Sequence, residues 1–263
     1  MSPRSGARRA STDAASPLAR IAPGAARTEP AGQRIGVMGG TFDPIHLGHL
    51  RAAEEIHRAF ALDQIIFVPA ARPPHKVAGG VASALHRYEM VSLATVFTPY
   101  FTVSSLELQR PGKSYSVDTL RALRAIYGPA STFYFILGVD AFLEMAAWKD
   151  VRELLGMVQL IVTARPGWRL DEVERSLTRA QLQQLAHPQF TYLKIAEITD
   201  GLARRAAPPG LICLVEVVSL DISSSEIRQL VQEGRSIRFL VTDTVAAYMA
   251  KNRLYQRARG SPA

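Results

Sequence analysis

The chain has 263 residues, which is long enough to bury one large hydrophobic core or two modest ones. Hydrophobic residues make up 48% and charged residues 21%, as in ordinary globular proteins. The net charge of +8 comes without a Lys/Arg block, an RNP-like motif or a basic helix, so we expect no nucleic-acid partner. No apolar run approaches the length of a membrane span, and we expect no membrane partner. The single cysteine, Cys213, has no disulfide partner, which favours a cytoplasmic location.

The first 33 residues are rich in Ala, Ser, Pro, Gly and Arg and have no apolar periodicity. Such a segment buries too little surface to offset its chain entropy, so we expect residues 1–33 to form a disordered extension. Its composition faintly resembles an organelle transit peptide, although an extension without a targeting role is the favoured interpretation. One folded domain over residues 34–256 and a disordered tail over 257–263 are expected to follow.

From residue 34 onward, short apolar runs alternate with helical patterns. The runs typical of strands lie at 34–40, 64–70, 101–108, 132–140, 158–165, 190–195 and 210–220. The helical patterns lie at 47–60, 83–97, 114–128, 170–186, 224–233 and 243–251. This alternation, with strands that are apolar almost throughout, predicts a Rossmann-like, doubly wound α/β fold with a mostly parallel sheet and helices on both faces. Ligands in such sheets bind at the carboxyl ends of the strands.

The stretch "GGTFDPIHLGHL" directly follows the first apolar run. Gly39 and Gly40 fall at the carboxyl end of the predicted strand, where glycine lets the backbone approach a ligand closely. Asp43 followed by Pro44 is typical of a helix start, because Asp caps the helix and Pro presets its first φ angle. This stretch is therefore the first candidate for a binding site.

His46 and His49 are three residues apart, so the pattern predicts that they are neighbours on one helical face, left open by Gly48. Free amides at a helix N-terminus together with two imidazoles favour a phosphate site. A satisfied structural histidine pair is one alternative. A metal site is another, although only Asp43 is near enough to be a third ligand and Mg²⁺ prefers oxygen. The spacing matches neither a P-loop nor a dinucleotide fingerprint.

A second candidate phosphate site lies in "DISSSEIRQL". Ser223 and Glu226 have the spacing of a capping box, which groups hydroxyls with the free amides of a helix start. Arg228 follows in the first turns, where a cation opposes the helix dipole unless an anion offsets it. A plain capped helix is the alternative. Together with the first stretch, the pattern predicts a triphosphate held between two helix N-termini.

These two motifs together resemble the nucleotidyltransferase superfamily that carries H-x-G-H and I-S-S-T-x-I-R elements. Within it, residues 34–256 are similar to the bacterial nicotinate-nucleotide adenylyltransferase family. The matching segments fall in the family's order and spacing at 39–50, 73–76, 106–120, 136–148 and 160–168. The H-x-G-H element is shared with other families, whereas "SYSVDTL" and "ARPG" favour this one. Ser225 replaces the usual Thr, and Val241 stands where Pro is common.

The resemblance implies that the protein transfers AMP from ATP to nicotinate mononucleotide, giving deamido-NAD and pyrophosphate, with Mg²⁺ bound through the ATP phosphates. It implies an ATP site formed by Gly39, Gly40, Thr41, His49, Asp140, Ser224, Ser225 and Arg228. His46, His49 and Arg228 are implied as catalytic residues that stabilise charge on the phosphates, and Asp140 as a partner of the ATP ribose.

For the acceptor, the resemblance implies that Trp148 stacks on the pyridine ring and that Ser116, a plausible helix N-cap, lies near the ring carboxylate. Arg165 is implied to contact the mononucleotide phosphate. His75 and Lys76, on a Pro-rich loop, are implied to close over the phosphates. A core aromatic, a plain helix cap and a solvated loop are the structural alternatives for these positions.

Three other functions stay open on the sequence. The first is the same chemistry on another phosphorylated acceptor, such as nicotinamide mononucleotide or phosphopantetheine. The second is a nucleotide-binding module without catalysis, against which the presence of both histidines and Arg228 argues. A basic nucleic-acid binder is the third. The sequence leaves the oligomeric state open.

Overall fold

The computed structural model describes residues 32–73, 81–164, 170–185, 189–194, 210–218 and 220–256. These residues form one seven-stranded sheet in which every neighbouring pair of strands is parallel. The strands are β1 Arg34–Gly40, β2 Gln64–Pro69, β3 Phe101–Val103, β4 Thr132–Gly138, β5 Gln159–Ala164, β6 Gln189–Lys194 and β7 Leu211–Glu216. Their order across the sheet is β3-β2-β1-β4-β5-β7-β6, which confirms the predicted Rossmann-like α/β fold.

Helices connect most of these strands. Those in the described residues are α1 Leu47–Ala59, α2 Ala84–Thr95, α3 Leu106–Gln109, α4 Ser116–Tyr127, α5 Val139–Glu144, α6 Val151–Met157, α7 Leu170–Arg175, α8 Arg179–Gln184, α9 Ser224–Gln232 and α10 Asp243–Lys251, with a 3₁₀ turn at Met145–Ala147. Within the described part of the chain, no helix combines the length and apolarity needed to cross a bilayer.

The sheet is covered on both faces, because its central strands send alternate side chains into two separate cores. In β4, Phe133 and Phe135 enter one core while Tyr134 and Ile136 enter the other. Buried residues of α4, α5 and α6 complete the first core, and buried residues of α1, α2 and α10 complete the second. Strands buried on both faces read as continuous apolar runs, which is why the sequence pattern predicts them.

Of the predicted elements that are shorter than expected, two have a boundary set by a side-chain cap. The strand predicted over 101–108 ends at Val103, because the Ser104 hydroxyl accepts the amide of Leu106 (3.3 Å) and the chain turns into α3. The helix predicted over 170–186 is two helices, since Thr178 caps a new one through the amide of Gln181 (3.2 Å). Side-chain capping therefore sets both boundaries.

The centre of the sheet contains the reversal of strand order that characterises doubly wound folds. The chain passes from β1 outward to β2 and β3, and then returns to β4 on the other side of β1. Met38 of β1 lies opposite Ile136 of β4, so Gly39, Gly40 and Gly138 all lie at adjacent carboxyl ends. Ligands bind at such reversal points, because the connections on either side leave a crevice there.

Replacing Ile161 by alanine should test the position of the second core. Ile161 lies in β5 with none of its surface exposed, and such a truncation lowers the free energy of unfolding by about 2–5 kcal/mol. Leu85→Ala is the matched control, because Leu85 is 60% exposed on α2 and should change that free energy by less than about 0.5 kcal/mol. Chemical denaturation measures both variants, and equal losses would contradict the described core.

Candidate functional site

The loop between β1 and α1 contains the first predicted phosphate motif. Helix α1 begins at Leu47 with His46 as its N-cap, and the carbonyl of His46 accepts the amides of His49 (3.0 Å) and Leu50 (3.3 Å). The prediction that Asp43 starts this helix is therefore wrong. The Asp43 carboxylate is buried and instead accepts the amide of Ala82 (3.0 Å), so it is not available for capping.

The two histidines lie side by side even though His46 precedes the first helical residue. Their ring centroids are 3.7 Å apart with an interplanar angle of 30°. The backbone amide of His46 donates to Nδ1 of His49 (3.3 Å). Because Nδ1 accepts this hydrogen bond, a neutral His49 carries its proton on Nε2 and presents a donor there. His46 is buried and His49 half-buried, and both line the cavity described next.

Gly48 is required by the position of the His46 ring. A Cβ atom on Gly48 would lie 3.0 Å from Nδ1 and 3.2 Å from Cε1 of His46. These separations are tighter than ordinary van der Waals contact, so any other residue would push the ring away. The glycine in the H-x-G-H element thus makes room for the first histidine, in addition to opening the helix face.

A first cavity lies beyond the carboxyl ends of β1 and β4. The polar side chains of its wall are His46, His49, Asp140 and Thr163, and its floor includes the glycines at 39, 40 and 138. Asp140 is exposed in the first turn of α5, a helix that the sequence pattern does not predict because it is too short to show a period. Four of the residues implied for ATP therefore line one cavity, namely Gly39, Gly40, His49 and Asp140, and the implied catalytic residue His46 lines it with them.

A second cavity adjoins the first and shares Gly39 and Gly40 with it. Its volume of about 360 Å³ falls in the range of small-molecule sites. Thr41, Ser116 and Trp148 line it, together with residues that the sequence does not single out, namely Glu107, Ser114, Tyr115, Glu144 and Lys149. The half-buried Trp148 ring meets Phe135 edge-on, with centroids 6.2 Å apart at an interplanar angle of 86°.

Ser116 is not the N-cap of α4. The cap is Tyr115, whose carbonyl accepts the amides of Asp118 (3.1 Å) and Thr119 (3.2 Å), and Ser116 is the first helical residue. The predicted cap is thus wrong by one position. The capping residue is Tyr115, and its side chain makes no hydrogen bond to the amides of the first turn. Ser116 nevertheless lines the second cavity, as the resemblance implies for it.

Lys149 is the one cationic side chain among the described residues of the second cavity. Its ammonium lies 4.9 Å from the centroid of the Tyr115 ring and 3.1 Å from the Asp118 carboxylate. Burial opposes ionisation of Asp118, but the hydrogen bond and the charge of Lys149 outweigh it and lower the pKa of Asp118. The ammonium of Lys149 is therefore paired with Asp118, and the same cavity is also lined by Glu107 and Glu144.

The second predicted phosphate motif packs against the first. Ser223 caps α9 by accepting the amide of Glu226 (3.1 Å), which confirms the predicted helix start. The hydroxyl of Ser224 donates to the carbonyl of Pro44 (2.9 Å). Ile222, two residues before Ser224, belongs to the wall of the first cavity. The N-termini of α1 and α9 therefore lie beside each other at this cavity.

Arg228 links α9 to the same loop. Its Nη1 donates to the carbonyl of Asp43 (2.7 Å), and its Nη2 donates to the hydroxyl of Ser225 (3.2 Å). The side chain is 25% exposed, so part of the guanidinium faces solvent next to the loop. The serines and the arginine of the second motif are thus brought together, as the sequence predicts.

Arg87 is a buried residue next to the site whose importance the sequence motifs do not indicate. It is 2% exposed and donates to the carbonyls of Thr41 (2.7 Å), Ala71 (3.3 Å) and Ala82 (3.0 Å). Burial lowers the pKa of its guanidinium, and the Asp43 carboxylate opposes that shift. Only its spacing in the sequence could have indicated that it is buried, because it lies three residues before Met90 and so on the same, buried face of α2.

Glu55 fixes the wall formed by the chain after β7. This buried residue of α1 accepts the amide of Val218 (2.7 Å) and pairs with Arg51 (2.5 Å). Val217 and Ile222, on either side of that contact, line the first cavity. A glutamate on the apolar face of a predicted helix indicates a buried carboxylate, and a buried carboxylate requires a hydrogen-bond or ion-pair partner. The residue could therefore have been singled out from the sequence.

Three residues implied for the mononucleotide, His75, Lys76 and Arg165, lie outside the described residues. The same holds for residues 1–31 and 257–263, for which the expectation of disorder stays a prediction. Within the described ranges, no group of three or more His, Cys, Asp and Glu side chains is placed to hold a metal ion.

Comparison with known proteins first defines the class. The family described as Cytidylyltransferase-like matches residues 37–230, which include both candidate phosphate motifs. A probable nicotinate-nucleotide adenylyltransferase of Geobacter metallireducens is 46% identical over 226 residues, covering 86% of this chain and 100% of the relative. One of a Thermoanaerobacter species is 40% identical over 224 residues, covering 85% and 95%.

The chain belongs to the nicotinate-nucleotide adenylyltransferase family within this class. Among solved structures, the nicotinic acid mononucleotide adenylyltransferase of Plasmodium falciparum complexed with NaAD has a TM-score of 0.62. It is 19% identical and covers 85% of this chain and 97% of that one. This likeness shows the shared fold.

A comparison of two glycine replacements should test the packing of His46. Alanine in a helix is more favourable than glycine by about 0.5–1 kcal/mol, and Gly156→Ala in α6 should gain this because its Cβ meets nothing within 4 Å. Gly48→Ala should gain nothing or be destabilised, since its Cβ crowds the His46 ring. Denaturation and the imidazole NMR signals measure both effects. An equal gain, with unmoved histidine signals, would contradict the geometry.

Proposed function

We propose that the protein transfers the adenylyl group of ATP to nicotinate mononucleotide, giving deamido-NAD and pyrophosphate in NAD biosynthesis. One observation carries the proposal: two cavities meet at Gly39 and Gly40, one walled by paired histidines at a helix start and the other by Trp148 and Lys149. Two nucleotides bound in adjoining cavities would bring their phosphates together over these glycines. Membership of the family supports the same reaction.

The ATP phosphates would bind over the N-terminus of α1. Gly39 and Gly40 would let the phosphates approach the backbone, and Thr41 would extend that contact toward the acceptor. His46 and His49 would stabilise the charge that moves onto the leaving oxygens, with Nε2 of His49 as a donor. The dipole of the helix adds to this attraction for anions. The amides of Leu47, His49 and Leu50 already donate to carbonyls of the protein, so the imidazoles rather than these amides would contact the phosphates.

The N-terminus of α9 would hold the far end of ATP. Ser224, Ser225 and Arg228 would bind the β- and γ-phosphates, because α9 starts beside the first cavity and the guanidinium is partly exposed there. Asp140, exposed on the opposite wall, would accept hydrogen bonds from the ribose hydroxyls. The nucleotide would thus span the crevice between the carboxyl ends of β1 and β4.

The mononucleotide would occupy the second cavity. Trp148 would stack on the pyridine ring, and Ser116 would lie near the ring carboxylate. By the resemblance alone, Arg165, His75 and Lys76 would bind the phosphates. The lining of this cavity contains Lys149 together with Glu107 and Glu144, so the preference for an acid rather than an amide rests on membership of the family.

In the reaction, an oxygen of the mononucleotide phosphate attacks the α-phosphorus of ATP, and the bond to the bridging oxygen breaks to release pyrophosphate. The attacking phosphate is already ionised near neutral pH, because its second pKa is about 6, so no protein base is needed. Catalysis then depends on alignment and charge stabilisation. Mg²⁺ would arrive with ATP and neutralise phosphate charge. Imidazole nitrogens are poor ligands for it, so the residues present fit an ion held by phosphate oxygens.

The activity would belong to one folded domain over residues 34–256 in the cytoplasm. Cys213 is the only cysteine of the chain and is buried in β7, where burial raises its pKa to about 11. It is therefore a protonated, unreactive thiol near neutral pH. A chain whose single cysteine is a core residue suits a reducing compartment.

Pyrophosphate release tests the proposed reaction directly. With ATP and Mg²⁺ supplied, release should require nicotinate mononucleotide and stop when it is omitted. Nicotinamide mononucleotide should give a lower kcat/KM, because a site that recognises the ring carboxylate supplies donors, whereas an amide needs both donors and acceptors. Release without any acceptor would contradict the transfer, and equal kcat/KM values on the two acceptors would contradict the preference for the acid.

Replacement of His49 tests its role in charge stabilisation. His49→Ala should lower kcat by about two to three orders of magnitude, the usual loss when a donor to the transition state is removed. His57→Ala is the control from the same helix, because the His57 ring stacks on Tyr100 with centroids 3.9 Å apart and is absent from both cavity walls. A kcat near the wild-type value in His49→Ala would overturn the assignment.

A further inference from the structure

Asp43 carries a buried carboxylate that is shared by three distant parts of the chain. It is 2% exposed, and its Oδ1 accepts the hydroxyl of Tyr255 (2.6 Å) and the amide of Ala82 (3.0 Å). Its Oδ2 lies 3.5 Å from Nη1 of Arg228 and has no hydrogen-bond partner among the described residues. A buried carboxylate is stable only if neighbouring groups donate hydrogen bonds to it or balance its charge. For Asp43, the hydroxyl of Tyr255 and the amide of Ala82 donate hydrogen bonds, whereas the guanidinium of Arg228 is too distant to do so.

Tyr255 reaches this carboxylate from the segment that follows α10, 212 positions along the chain. Its φ angle of 61° lies in the left-handed region, which is unfavourable for a residue with a large side chain. Burial and the neighbouring carboxylate raise the pKa of Tyr255, so its hydroxyl remains a proton donor at neutral pH. The strained backbone is therefore held by a hydrogen bond to a charged group, which is stronger than one between neutral groups.

Arg228 depends on the same residue. Its Nη1 donates to the carbonyl of Asp43 (2.7 Å) while the carboxylate of Asp43 lies at 3.5 Å, so the orientation of Asp43 sets the direction of the guanidinium. If the Tyr255 hydroxyl were removed, Oδ1 would retain only the amide of Ala82 in the described structure. The under-compensated carboxylate would then draw the guanidinium inward, since a buried anion attracts its nearest cation most strongly.

We propose that Tyr255 is a positioning residue for ATP: its hydroxyl compensates the buried carboxylate of Asp43 and thereby leaves the guanidinium of Arg228 available for the terminal phosphates. This inference rests on the proposed function, in which Arg228 binds those phosphates. Tyr255 itself touches no substrate in this scheme. Loss of its hydroxyl should therefore weaken the binding of ATP and leave the binding of the mononucleotide unchanged.

The Tyr255→Phe variant tests this directly, because it removes the hydroxyl and keeps the ring. We expect the Kd and the KM for ATP to rise about tenfold, the loss typical of one hydrogen bond involving a charged group, while the KM for nicotinate mononucleotide stays unchanged. Tyr248→Phe is the matched control, since Tyr248 lies in α10 and its hydroxyl contacts Nδ1 of His86 (2.9 Å) in α2, away from Asp43. A loss that is equal for both substrates would indicate a merely structural role and overturn the inference.

Two double variants test whether the effect passes through Asp43 and Arg228. In an Arg228→Ala background, Tyr255→Phe should leave the ATP Kd unchanged. It should do the same in an Asp43→Asn background, where a neutral amide no longer draws the guanidinium. A further tenfold loss in either background would contradict the route. Should Tyr255→Phe alone fail to fold, the double variant with Asp43→Asn, which lacks the unpaired charge, provides the same comparison.

Calorimetric titration of the full-length protein with ATP and Mg²⁺ separates the two hypotheses. If the wild-type protein binds no ATP, the proposed function fails. If the wild-type protein binds ATP and Tyr255→Phe binds it equally tightly, the proposed function stands and the role of Tyr255 is wrong. A thermal unfolding curve for each variant establishes that the titrated protein is folded.

Discussion

The loop between β1 and α1 is fixed by side chains from other segments, which donate hydrogen bonds to its buried carbonyls. The geometry of the site depends on these hydrogen bonds. A buried carbonyl needs a partner, so each one acts as an anchor point for another segment. Three side chains donate hydrogen bonds to carbonyls of this loop: Arg87 to Thr41, Arg228 to Asp43 and Ser224 to Pro44. Helices α2 and α9 are thereby tied to the loop that separates the two cavities, and its shape follows from the fold as a whole.

The charges around this loop explain why a polyanion suits it. The buried carboxylate of Asp43 lies between the guanidiniums of Arg87 and Arg228, which leaves a positive excess on the loop. Two helix N-termini point to the same place and add partial positive charge. Glu107 and Glu144 line only the second cavity, away from the proposed phosphates. The described lining of the first cavity thus contains two histidines and one carboxylate, whereas that of the second contains two carboxylates and one ammonium.

The parts of the molecule that sequence reasoning predicts are those set by local pattern. Strands buried on both faces show as apolar runs, and Gly48 with its two histidines is unusual enough to mark a site. Arg87 and Tyr255 are different, because their importance comes from partners far away in the chain. The error at Ser116 is local instead: the helix begins one residue earlier than a serine cap would place it, after Tyr115, which makes no side-chain capping hydrogen bond. Long-range hydrogen bonding therefore limits what a single sequence reveals about this site.

The contact between Asp43 and Tyr255 spans 212 positions, so the two ends of the folded domain meet at one carboxylate. A ribosome makes the glycine and histidine residues early and the tyrosine more than two hundred peptide bonds later. During that interval, the β1–α1 loop lacks the donor that compensates its buried charge, and contacts of such sequence separation form slowly. Assembly of the proposed ATP site therefore depends on the last segment of the folded domain, because Tyr255 supplies one of the two donors to Oδ1 of Asp43.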